Sequence, residues 1–148
     1  LTFIDTENRA RRVTELARTE RTYGRNFRFY HLSLMNEVEA MRDILSAPTL
    51  DIDALARSGE AIAAGVAEIK PRAESAMPEV HTDLYQGEYL SFLRSLETLS
   101  ESTRELAVVL RDPRGRPNDR ERRMSALQRA FTAAIQASNS VRYSDRVR

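Results

Sequence analysis

From Asp5 to Ala47 the chain runs for about 40 residues without a proline, and apolar or aromatic side chains recur along it three or four apart. Val13, Leu16, Tyr23, Phe27, Tyr30, Leu34, Val38, Met41 and Leu45 fall on one stripe. At 1.5 Å per residue such a helix is close to 60 Å long. One oily stripe of that length needs partners, and the rest of the chain supplies three.

Pro48 ends the first segment by removing a backbone donor and pushing Ala47 out of the helical region. Thr49 or Asp51 can cap the next helix. Ile52, Leu55, Gly59, Ile62, Val66, Ile69 and Ala73 then alternate by three and four, with Ala56, Gly59, Ala63, Ala64 and Gly65 small enough for close backbone approach. Pro71 is expected to kink or end this helix, and Ser75-Ala76-Met77-Pro78 forms the next break, with Pro78 suited to a first helical position. The third stripe runs from Leu84 or Tyr85 through Tyr89, Phe92, Leu96, Leu99, Thr103 and Leu106 to Leu110. Arg111 to Asn118, with two prolines and a glycine, reads as a loop, and Asn118 with Glu121 has the form of a capping box. Met124, Leu127, Phe131, Ala134 or Ile135, Ser138 and Val141 make the fourth stripe.

Short breaks cannot carry the chain back along a long helix, so the expected fold is all-α: an up-down-up-down antiparallel four-helix bundle with a long first helix, residues 1–148 forming one domain. The first segment, near 40 residues against about 24 for the fourth, is expected to protrude, bend or break near Gly24. Protrusion would expose apolar surface and give a motive for a homodimer. Ala and Leu supply much of the 41% apolar content, which agrees with a helical chain.

No stretch approaches the roughly 20 apolar residues of a membrane span, and the first residues lack the order of a signal peptide. The chain reads as soluble as given. A start at Leu1 rather than Met fits a processed product or an excised domain, and leaves a leader or anchor upstream open. Without cysteine there is neither disulfide nor thiolate metal site, so cytoplasmic and extracytoplasmic locations stand equal.

Of the 23 basic residues only Lys70 is a lysine. Arginine suits phosphate and carboxylate contacts, although a GC-rich coding sequence produces the same bias. The net charge of +1 conceals a division: residues 1–30 carry +3, residues 31–110 carry −8 and residues 111–148 carry +6. In an up-down bundle the first and last helices are neighbours, so Arg9 and Arg12 approach Arg142 and Arg146, while Arg114 and Arg116 stand apart in the loop. These are the candidate contacts to an anionic partner, with an anionic membrane surface one option. Nucleic acid is disfavoured by the interleaved acidic residues and by the lack of a finger, aromatic platform or helix-turn-helix pattern.

Chemistry has little to work with. His31 and His81 are the only histidines, and neither follows a glutamate by three residues as a di-iron bundle requires. There is no Gly-x-Ser-x-Gly elbow, no glycine-rich nucleotide loop and no haem-attachment motif, so neither enzyme, metal nor cofactor is expected. Tyr23, Phe27, Tyr30 and His31 on the first helix, with Tyr85 and Tyr89 on the third, are the candidate small-molecule contacts, and core packing is the competing role for the same rings. Two functions follow: a non-catalytic helical interaction module that binds a protein or itself, or an extracytoplasmic ligand-sensing domain of a membrane-anchored receptor or lipoprotein.

Overall fold

The computed structural model describes the backbone of residues 30–76 and 83–147, and side chains over 30–74 and 87–141. Within these limits there are four helices and no strand: α1 over residues 30–46, α2 Ile52–Ala76, α3 Asp83–Arg111 and α4 Pro117–Val147. The all-α, four-helix arrangement expected from the spacing is present. The first 29 residues, with the expected overhang and the break at Gly24, lie outside the described residues, as does the turn around Pro78.

Each helix boundary has a local cause. α1 stops at Ser46, two residues before Pro48. Asp51 rather than Thr49 opens α2, its Oδ1 accepting the Ala54 N–H at 3.0 Å as an N-cap. α2 does not end at Pro71 but continues to Ala76. Pro71 sits on the exposed face, as does Ala67, whose carbonyl loses a helical donor there and faces water.

The start of α4 corrects the expected capping box. The helix begins at Pro117, one residue before Asn118, and the Arg116 carbonyl accepts from Asp119 at 3.1 Å and Arg120 at 3.2 Å. Proline's fixed φ and missing N–H suit the first helical position, which moves the start ahead of Asn118. α4 also has 31 residues, longer than the 24 expected. The loop before it is organised by Asp112, whose carboxylate accepts the Arg114 N–H at 2.9 Å and whose carbonyl accepts from Gly115 at 3.0 Å and Arg120 Nη2 at 3.2 Å.

The four stripes meet in one core. Leu34, Val38 and Met41 from α1, Leu55, Ile62, Val66 and Ile69 from α2, Tyr89, Phe92, Leu96, Leu99, Thr103 and Leu106 from α3, and Leu127, Ala134 and Val141 from α4 are all buried. Leu93, Ser100 and Ala107 are buried as well, outside the single row read from the sequence. They widen the buried face of α3 because this helix packs on both α2 and α4. Ser100 donates to the Gly59 carbonyl at 3.0 Å, and Thr103 returns its hydroxyl to the Leu99 carbonyl at 2.8 Å, so both enter the core with their polar atoms satisfied.

Contacts along the helices are paired level by level. Lys70 meets Glu97 at 2.8 Å, Gly59 meets Ser100 and Thr103, and Arg111 meets Asp53 at 2.7 Å. The carboxylate of Glu97 beside Lys70 holds its amine above the usual lysine value. Tyr30 accepts a hydrogen bond from Arg72 at 2.6 Å, and Leu34 lies against Gly65. On the other side His31 pairs with Ser138, and Arg42 lies over the Phe131 ring at 5.5 Å.

The helical glycines differ in what surrounds them. A Cβ at Gly59 would lie 2.8 Å from Thr103 Cγ2 and 3.0 Å from its Cβ, whereas one at Gly87 meets nothing within 4 Å. Gly87→Ala is therefore expected to stabilise the protein by about 0.5–1 kcal/mol through helix propensity. Gly59→Ala gains the same propensity but pushes on a stiff β-branched side chain, and a net loss of about 1–2 kcal/mol is expected. Urea midpoints of the two variants should move in opposite directions. Equal shifts would show that α2 and α3 are not in close contact at Gly59.

Candidate functional site

The aromatic residues expected to frame a ligand are partly gathered. His31, on the first described turn of α1, stacks tilted on Phe92 of α3 at 4.6 Å between centroids, and Tyr89 stands edge-on to the same Phe92 at 6.2 Å. Tyr30 turns toward α2, where the Arg72 guanidinium lies 5.8 Å from its ring centroid and donates to its hydroxyl. Tyr23 and Phe27 lie outside the described residues. Tyr85 belongs to the first turn of α3, with its side chain outside them too.

These rings are placed by helical spacing. Tyr89, Phe92 and Leu96 share one face of α3, and the His31 ring fills the gap between that face and α4. His31 Nε2 and Ser138 Oγ are 2.9 Å apart, the separation of a base and an activated hydroxyl. Ser138 is 1% and His31 4% exposed, and the contact ties α1 to α4 inside the core. Among the described residues no group of three His, Asp or Glu comes together as a metal site.

The expected anion contacts fall into separate groups. Arg114 and Arg116 are exposed in the loop ahead of α4. Arg142 and Arg146 lie on the last turns of α4, so about 40 Å of helix separates the two pairs and a single compact anion cannot span them. Arg9 and Arg12 lie outside the described residues. Most other exposed arginines on this surface already face carboxylates: Arg42 meets Glu39 and Arg104 meets Glu101, both at 3.1 Å, Arg123 meets Glu105 at 2.5 Å, and Arg122 pairs with Asp119.

Two surface features are absent from the spacing argument. A small groove of about 70 Å³ lies between α2 and α3, floored by Ala56, Gly59 and Ala107 beside the exposed Val108. It has room for little more than one side chain. The second is the outer face of α4, where Ser125, Gln128, Arg129, Thr132, Ala133 and Gln136 line an open hollow of about 390 Å³. Residues 124–141 contain a single charge, Arg129, in a chain that is 30% charged. That depletion is legible in the sequence, but a search for apolar stripes looks at the opposite face.

Neither feature touches Tyr30, His31 or Tyr89. Among the described residues no helix is long and apolar enough to cross a membrane. Compared with known protein families, curated proteins and solved structures, the chain matches none of them.

Proposed function

We propose that this chain is a non-catalytic helical interaction module, a single unit whose four helices run up-down-up-down. The direction of the helices is supported by the level-by-level pairs: as residue numbers rise from 53 to 70 in α2, their partners in α3 fall from 111 to 97. The same reversal relates α1 to α4, where 31 and 42 meet 138 and 131. A longer first helix belongs to the same reading.

The observation that carries the function is the neutral outer face of α4. A helix surface that serves only to hold water is normally charged, as the other faces here are, with their repeated arginine–carboxylate pairs. Depletion of charge at the centre of a surface patch is a feature of surfaces that exclude water against a protein. The expected result is a mass by light scattering that rises with protein concentration and persists at high salt, because a neutral contact is not screened. A monomer at every concentration and salt would overturn the self-associating module.

A second reading is a ligand-sensing domain, favoured by the meeting of His31, Phe92 and Tyr89 at one level of the bundle. It predicts chemical-shift changes at these three rings when candidate metabolites are titrated. Unchanged ring signals across such a panel would leave them as core.

A further inference from the structure

We draw no further inference here: the strongest candidate, the groove between α2 and α3 floored by Ala56, Gly59 and Ala107 beside the exposed Val108, is an apolar slot of side-chain size, and nothing in the structure shows what covers it.

Discussion

Phe92→Ala is expected to lower the free energy of unfolding by about 3–5 kcal/mol. Phe92 is fully buried at the level where three helices meet: its ring touches His31 of α1 and Tyr89 of its own helix, and the His31 ring is bonded onward to Ser138 of α4. Removal of the ring leaves a void whose walls are set by helix backbones and cannot close on it. It also deprives His31 of the platform that holds its Nε2 toward Ser138, so a packing loss becomes a polar one. A urea titration should show the lower midpoint with an unchanged slope. Phe92→Leu, which keeps most of the volume, should cost much less. A loss below about 1 kcal/mol for the alanine variant would mean that the three helices do not meet there.

Ile62→Ala should cost about 2–4 kcal/mol, the second largest effect among single substitutions considered. Ile62 lies at the middle of the α2 stripe, with Leu55 one turn pair before it and Ile69 one turn pair after, and it is completely buried. Ile62→Val removes a single methylene group and should cost about 0.5–1.5 kcal/mol. Substitution at the adjacent exposed Ala61 or Glu60 should stay within about 0.5 kcal/mol of the starting protein. The contrast between neighbours tests the rotation of α2 about its axis. Equal losses at 61 and 62 would mean the wrong face has been assigned to the core.

The core was legible because burial is periodic and the period of a helix is known. Leu55, Ile62, Val66, Ile69 and Ala73 could be named from spacing alone, and all are buried. Spacing fails where a helix has more than one neighbour: Leu93, Ser100 and Ala107 belong to a second row on α3, and polar Ser100 gives no apolar signal for it. It fails again at helix ends. Asn118 and Glu121 satisfy a capping pattern, yet Pro117 starts the helix one residue earlier, because a residue with fixed φ and no donor loses nothing at that position. The candidate site was legible only in part. His31 and Tyr89 do meet through Phe92, but their burial and the hydrogen bond to Ser138, 107 residues away, depend on how two helices pack. Charge depletion over 124–141 needed only counting, and its significance appears once the face is seen to be open.

The fastening of α2 to α3 has a mechanical consequence. Exposed ion pairs flank the contact at Asp53–Arg111 and at Lys70–Glu97, and between them the Gly59 backbone sits against Thr103 with its carbonyl held by Ser100. Sliding either helix by one residue would drive the Thr103 methyl out of the notch left by the missing glycine side chain. The two helices therefore act as one stiff beam about 25 Å long. Slow breathing of the molecule should hinge around that beam, and amide protons along its inner face should be among the last to exchange.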